Sequence, residues 1–133
     1  MTDMKLMHAA LAAREMAYAP YSGFCVGAAL LTANGKLYTG CNIENAAYTP
    51  TNCAERTAFF KAVSEGERDF AAIAIVGGRK GTEGSFCAPC GVCRQVMAEF
   101  CDADFRVVLG DAKQVQVFTL AELLPASFSK SNL

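Results

Sequence analysis

The chain has 133 residues, of which 53% are hydrophobic and 19% are charged, and its net charge is −1. This length and hydrophobicity predict a single domain over residues 1–133 and exclude intrinsic disorder, because an apolar, nearly neutral chain buries enough surface to fold. The charge balance argues against a nucleic-acid or membrane partner, since both select basic surfaces. Charged residues are fewer than the roughly 25% of an ordinary soluble domain, so we expect apolar surface to face another subunit.

The hydrophobic pattern predicts helices that alternate with strands after an opening hairpin. The predicted helices cover about residues 3–18 and 53–65, a segment that opens at Pro89, and a short segment that starts at the capping box 119–122. The predicted strands cover residues 24–32, 36–41, 70–76, 105–109 and 115–119, with a Gly-rich loop at 77–84. Asn34-Gly35 predicts a two-residue type I′ turn in the hairpin. This order predicts an α/β fold with three layers, α/β/α, around a mixed five-stranded sheet.

Seven cysteines make an odd set, which does not suggest a disulfide framework. Residues 1–5 show no charged region followed by an apolar signal core, and apolar runs such as 24–31 are too short to span a bilayer. We therefore expect a cytoplasmic protein. In that reducing compartment, clustered cysteines are more often metal ligands or catalytic groups than disulfides.

Two short motifs, at 53–55 (Cys-Ala-Glu) and 89–93 (Pro-Cys-Gly-Val-Cys), each lie at a predicted helix start. The positive end of a helix dipole lowers the pKa of a thiol, and the thiolate is the form that binds metal. Cys90 and Cys93 lie three residues apart and share one helix face, and Cys53 can supply a third sulfur. Three protein ligands leave a fourth tetrahedral position for water, which is the arrangement of a catalytic zinc site.

The spacing of Cys53 and Glu55 makes a further prediction. Two residues apart inside a regular helix, their side chains would point to nearly opposite sides. Both can face one ion only if Cys53 lies at the helix entry. Arg56 can then lean back over the Cys53 sulfur and offset the negative charge that three thiolates leave on a divalent ion.

The Pro-Cys-x-x-Cys motif alone also fits a redox pair or half of a structural zinc site. A redox pair would leave Cys53, Glu55 and Arg56 without a role. A structural site would need a fourth protein ligand, such as Cys87. A zinc-stabilised interaction module without catalysis also stays open on these residues.

Five segments, which follow one another along nearly the whole chain and include the two motifs, match the sequence pattern of one known protein family. They are 18–22 (Tyr-Ala-Pro-Tyr-Ser), 40–46 (Gly-Cys-Asn-Ile-Glu-Asn-Ala), 53–57 (Cys-Ala-Glu-Arg-Thr), 89–95 (Pro-Cys-Gly-Val-Cys-Arg-Gln) and 122–125 (Glu-Leu-Leu-Pro). On these segments the chain resembles the small homotetrameric cytidine deaminases of the cytidine and deoxycytidylate deaminase family. The resemblance implies a cytidine deaminase-like fold, a Zn²⁺ cofactor and a role in pyrimidine salvage. The implied reaction is hydrolytic deamination of cytidine and deoxycytidine to uridine and deoxyuridine plus ammonia.

The resemblance also implies a role for each chemical group. Cys53, Cys90 and Cys93 would hold the zinc, and a zinc-activated water would attack C4 of the pyrimidine. Glu55 would not bind the metal. It would carry protons between that water, ring N3 and the leaving amino group.

The same resemblance implies the contacts with the nucleoside substrate. Asn42 and Glu44 would hydrogen-bond the ribose 3′-hydroxyl, and Phe24 would pack near the base. The backbone around Ala54 and Cys90 would read the pyrimidine edge. Tyr48 and Phe128 would complete the sites of neighbouring subunits in a homotetramer.

Two related activities keep the chemistry and change the substrate. A deaminase of RNA or DNA needs a basic track for the backbone, and the net charge of −1 argues against one. A deaminase of a nucleoside-like antibiotic shares much of the layout.

One departure from the family pattern is Phe59, which is bulkier than the expected aliphatic residue, so we expect its helix to pack differently.

Overall fold

The computed structural model describes residues 1–133. Its elements, in chain order, are α1 (Asp3–Arg14), β1 (Phe24–Thr32), β2 (Leu37–Cys41), α2 (Ala54–Ser64), β3 (Phe70–Arg79), α3 (Gly91–Phe100), β4 (Arg106–Gly110), β5 (Val115–Thr119), α4 (Leu120–Leu123) and a 3₁₀ turn (Lys130–Asn132). None of the helices has both the length and the hydrophobicity needed to span a membrane. The predicted capping box at the start of α4 is present, with Thr119 and Glu122 bonding each other's backbone N–H groups.

The five strands form one mixed sheet in the order β2-β1-β3-β4-β5. Strand β1 is antiparallel to both β2 and β3, β3 and β4 are parallel, and β4 and β5 are antiparallel. Because β2 and β3 are both antiparallel to β1, they run in the same direction. Helices α2 and α3 follow these two strands along the chain, so both helices begin at the same edge of the sheet.

Helices cover both faces of the sheet and confirm the three-layer α/β/α fold. On one face Leu6, Met7 and Ala10 of α1 pack against small side chains of the strands. On the other face α2 and α3 cover a larger core that includes Ile73 and Ile75 of β3. Strand β3 is therefore buried on both faces, as its continuous apolar run predicts.

Two residues fix how closely α2 approaches the sheet. Phe59 is fully buried, and its ring centroid lies 5.1 Å from that of Phe70 and 6.1 Å from that of Phe105. The bulk at this position thus belongs to an aromatic cluster that anchors α2. At Gly40 of β2, a Cβ would lie 2.4 Å from the Ala54 carbonyl oxygen, so the first turn of α2 packs directly on the strand backbone.

Helix α1 ends at Arg14 rather than at the predicted Tyr18. Tyr18 instead pairs with the segment after β2: its N–H donates to the Asn42 carbonyl at 2.9 Å, and its carbonyl accepts from the Glu44 N–H at 2.9 Å. Pairing with a segment distant in sequence therefore takes the place of a further helical turn.

The predicted type I′ turn is wrong. Gly35 has a positive φ of 90°, but Asn34 is not among the residues with positive φ. The Gly35 N–H donates to the Thr32 carbonyl at 3.1 Å, so Ala33 and Asn34 are the central residues of the turn. The Thr32 hydroxyl also donates to the Asn34 side chain at 2.5 Å, which stabilises this longer connection.

Two further boundaries differ near the second cysteine motif. Strand β3 continues to Arg79, because Gly77 pairs with Val26 on one side and exchanges backbone hydrogen bonds with Ser85 on the other. The predicted 77–84 loop is therefore partly strand. Pro89 lies outside α3, since Cys90 is the N-cap.

Candidate active site

Three cysteine thiols meet where α2 and α3 begin. Cys53 is the N-cap of α2 and Cys90 is the N-cap of α3, both with extended backbone, and Cys93 lies in the first turn of α3. The three Sγ atoms lie within 4.8 Å of one another, and those of Cys53 and Cys90 are 3.7 Å apart. The prediction that Cys53 lies at the helix entry is confirmed.

This donor set fits a tetrahedral zinc ion. Zinc–sulfur bonds of ~2.3 Å at tetrahedral angles place two sulfurs about 3.8 Å apart, close to the separation of Cys53 and Cys90. Cys93 is buried, whereas Cys90 is exposed and borders a cavity. A fourth coordination position on the cavity side would therefore be accessible to water.

Positive groups surround the thiols. Neither Cys53 nor Cys90 makes a side-chain cap bond, so the N–H groups at both helix N-termini face the cluster without such a partner. The pKa of the Cys53 thiol is lowered because Cys93 and Arg56 hydrogen-bond its sulfur. Arg56 donates from Nη2 to the Cys53 Sγ at 3.3 Å, and its Nε is buried without a hydrogen-bond partner. These contacts stabilise the Cys53 thiolate, the form that binds zinc, whereas the hydrogen bond to Cys53 and burial raise the pKa of the Cys93 thiol.

Glu55 lies in the first turn of α2 and is 5% exposed. Its side chain lines the same cavity as Cys53 and Cys90. Burial raises the pKa of Glu55 to about 7, and the charge on Cys53 adds to this rise. The carboxyl group can therefore gain and lose a proton near neutral pH, as a general acid and base must.

The cavity has a volume of about 350 Å³, at the lower end of the roughly 300–1,000 Å³ of small-molecule sites. Of the residues predicted for the site, it brings together Phe24, Asn42, Glu44, Cys53, Ala54, Glu55 and Cys90. A larger cleft of about 630 Å³ lies between α3 and the C-terminal segment, away from the thiols. Because Cys53, Glu55 and Cys90 line the smaller cavity, we take it as the candidate active site.

Asn42 is 9% exposed and joins the site to β1. Its Oδ1 accepts from the Val26 N–H at 2.9 Å, and its Nδ2 donates to the Phe24 carbonyl at 2.8 Å. One amide N–H and one lone pair remain for a ligand. The amide is thus held rigidly beside Phe24.

Glu44 is held by the turn that precedes β1. Its Oε1 accepts from the Tyr21 N–H at 3.0 Å and the Ser22 N–H at 3.1 Å, and its Oε2 accepts from the Ser22 hydroxyl. Hydrogen bonds from the Ser22 side chain and backbone, and then from Tyr21, lower the pKa of Glu44. An ionised, fixed carboxylate therefore stands at the cavity wall.

Tyr48 and Phe128 do not line the cavity of their own chain. Tyr48 is 75% exposed, has a strained positive φ of 63° and borders an adjacent depression that also includes Glu44. Phe128 is 63% exposed, and its carbonyl accepts from Gln95 Nε2 of α3 at 2.8 Å. Both rings face outward.

Sequence reasoning gave no role to three residues around the site. Ser22 and Cys87 line the cavity. Cys87 lies outside the three-thiol cluster, and burial raises the pKa of its thiol to about 11. Arg14 is 5% exposed and donates to the carbonyls of Cys25 and Thr82, at 3.0 and 2.8 Å, which ties the loop after β3 to α1. Nothing in the helical pattern around Arg14 predicts its burial.

Comparisons with known proteins agree with this geometry. The family model for the cytidine and deoxycytidylate deaminase zinc-binding region matches residues 1–110. A cytidine deaminase of Sporosarcina psychrophila is 56% identical over 130 residues, which are 97% of this chain and 93% of the relative. A cytidine deaminase of Halalkalibacterium halodurans is 52% identical over 134 aligned positions, which cover 100% of this chain and 98% of the relative. The crystal structure of cytidine deaminase from Burkholderia pseudomallei superimposes with a TM-score of 0.88 at 52% identity and covers 96% of this chain and 100% of that chain.

A three-layer fold in which a three-thiol cluster borders a cavity lined by a buried glutamate defines a zinc-binding hydrolase of the deaminase class. The chain belongs to the cytidine and deoxycytidylate deaminase family. Its cofactor is Zn²⁺. The family resemblance predicted from the sequence is confirmed.

The cluster geometry predicts which cysteine substitutions release the metal. Cys93→Ala removes a buried sulfur from the cluster, so we expect nearly all zinc to be lost. Cys87→Ala is the matched control, because this thiol borders the same cavity outside the cluster, and it should retain the wild-type zinc content. Metal analysis of the purified variants by mass spectrometry checks both. Zinc loss from Cys87→Ala with retention in Cys93→Ala would contradict the assignment.

Proposed function

We propose that the protein hydrolyses the C4 amino group of cytidine and deoxycytidine and releases uridine or deoxyuridine and ammonia. The observation that carries this proposal is the buried Glu55 carboxyl group in the same cavity as the thiol cluster. A redox pair or a structural zinc site does not require a buried carboxyl group beside the sulfurs. An acid–base hydrolase requires one.

Glu55 is the proton carrier in this proposal. When bound, Zn²⁺ supplies a water whose pKa falls from about 15.7 to about 7. Glu55 accepts a proton from the attacking water and delivers it to ring N3, which makes C4 electrophilic. Glu55 then takes the proton of the new C4 hydroxyl and transfers it to the amino group, which leaves as ammonia as the C4 carbonyl forms. A carboxyl group with a pKa near 7 is suited to both transfers.

The side of the cavity away from the thiols supports a nucleoside as the substrate. Phe24 provides an apolar surface for the base, and the Ala54 backbone lies beside Glu55 to meet the pyrimidine edge. The fixed amide of Asn42 and the ionised carboxylate of Glu44 support a role for both residues in binding a ribose hydroxyl. In a polynucleotide the 3′-oxygen carries a phosphate, which the Glu44 carboxylate would repel. A free sugar is therefore favoured over RNA or DNA.

We further propose a homotetramer in which neighbouring chains complete each other's sites. Tyr48 and Phe128 support this, because both rings are exposed and lie outside their own cavity. Gln95 fixes the Phe128 backbone to the helix that carries Cys90 and Cys93, so the ring projects from a defined position.

The seven free cysteines support a reducing, cytoplasmic location.

Replacement of Glu55 tests the proton-transfer role. Glu55→Gln keeps the shape of the side chain and removes its proton transfer, so we expect kcat for cytidine to fall by about 10²- to 10⁴-fold. Zinc content should remain at the wild-type level. Glu99→Gln, on the exposed face of α3, is the matched control and should keep full activity. Ultraviolet absorbance follows the reaction. Unchanged turnover in Glu55→Gln would contradict the proposal.

Subunit mixing tests the shared sites. Phe128→Ala alone should form tetramers by light scattering and show a KM for cytidine raised by about tenfold, because the ring that completes the neighbouring site is missing. Reassembled with Glu55→Gln chains, some intact Glu55 sites receive Phe128 from a neighbour, and a low-KM component should reappear. Monomeric wild-type protein with full activity, or mixtures that only average the two parents, would contradict the shared site.

A further inference from the structure

The turn before β1 holds both oxygens of the Glu44 carboxylate. Two backbone N–H groups, of Tyr21 and Ser22, donate to Oε1 at 3.0 and 3.1 Å, and the Ser22 hydroxyl donates to Oε2. All three donors come from two adjacent residues. One of the three is a side chain that substitution can remove without changing the backbone.

The direction of the Ser22 hydroxyl is set by its second contact. The Phe24 N–H donates to Ser22 Oγ at 3.0 Å, so a lone pair of this oxygen is occupied. An ionised carboxylate only accepts hydrogen bonds, so the single hydroxyl proton of Ser22 points to Glu44. Ser22 thus joins the residue that faces the base to the carboxylate that faces the sugar.

The same contacts limit what Glu44 can still bind. A carboxylate has about four acceptor positions, and the turn occupies three of them. The position that remains suits one donor, such as a hydroxyl group. Ser22 and Glu44 both border the cavity and the adjacent depression that contains Tyr48, so this position lies along the route from the cavity to the exterior.

We propose that Ser22 is a positioning residue that sets the specificity of the site for a substrate with a free sugar hydroxyl. It acts through Glu44 and does not touch the reacting atoms. The inference rests on the proposed function, because it assigns the hydroxyl to the ribose of the nucleoside. Loss of the Ser22 hydroxyl frees Glu44 Oε2 to rotate, and the carboxylate then meets the sugar in fewer productive orientations.

The test compares two substrates that differ only at the sugar. Ser22→Ala should lower kcat/KM for cytidine by about tenfold, mainly through KM, because one hydrogen bond to a charged group is lost. For 3′-deoxycytidine, which lacks the hydroxyl, kcat/KM should stay within about twofold of wild type. Ser22→Thr keeps a hydroxyl and should restore the discrimination. Ser64→Ala, which removes a hydroxyl that bonds the Lys61 carbonyl on α2, should leave both substrates unaffected.

A second variant separates positioning from a general effect on the fold. In a Glu44→Ala background, Ser22→Ala should cause no further loss with cytidine. An equal loss for cytidine and 3′-deoxycytidine would overturn the inference, since Ser22 would then act on the base side or on the fold, and so would no loss at all. Cytidine turnover by the wild type, measured in the same assay, tests the proposed function separately. Its absence in zinc-replete protein would overturn both.

Discussion

Two helix N-termini face one group of cysteine sulfurs, and the rest of the site depends on this electrostatic constraint. Strands β2 and β3 run in the same direction, so the helices that follow them begin at one edge of the sheet. Gly40 and Phe59 seat α2 closely enough for the Cys53 sulfur to lie 3.7 Å from that of Cys90. Three thiolates and a divalent zinc carry net negative charge, and the helix dipoles with Arg56 offset it. In these surroundings burial and the charge on Cys53 raise the pKa of Glu55 to about 7, so its carboxyl group can hold a proton.

A short loop joins the three-thiol cluster to the Glu44 side of the cavity. Ile43 and Asn52 exchange two backbone hydrogen bonds of 2.9 Å, which close the loop between them. Glu44 is the first residue inside this closed loop, and Cys53 is the first residue after it. In the proposed function, the helices supply the groups for chemistry, whereas the loop and the turn at Ser22 supply the groups for recognition.

The sequence predicted the features that depend on local chemistry. The α/β order, the placement of two helix starts at the cysteine motifs, and the burial of β3 follow from periodicity and capping arguments. The errors lie where distant segments decide. Helix α1 stops at Arg14 because residues near 18 pair with residues 42–44, and Arg14 is buried by carbonyls up to 68 positions away. The hydrogen bond between Ser22 and Glu44 also joins distant segments, and the spacing of these residues along the chain does not predict it.

The most direct test of this mechanism is cytidine turnover measured as Zn²⁺ is returned in steps to chelator-treated protein, with bound zinc determined at each step. We predict that activity is lost with the metal, rises in proportion to the zinc that is bound, and reaches a plateau at about one zinc ion per chain. Full turnover by zinc-free protein, or no turnover at full zinc occupancy, would contradict a zinc-dependent deamination at the three-thiol site.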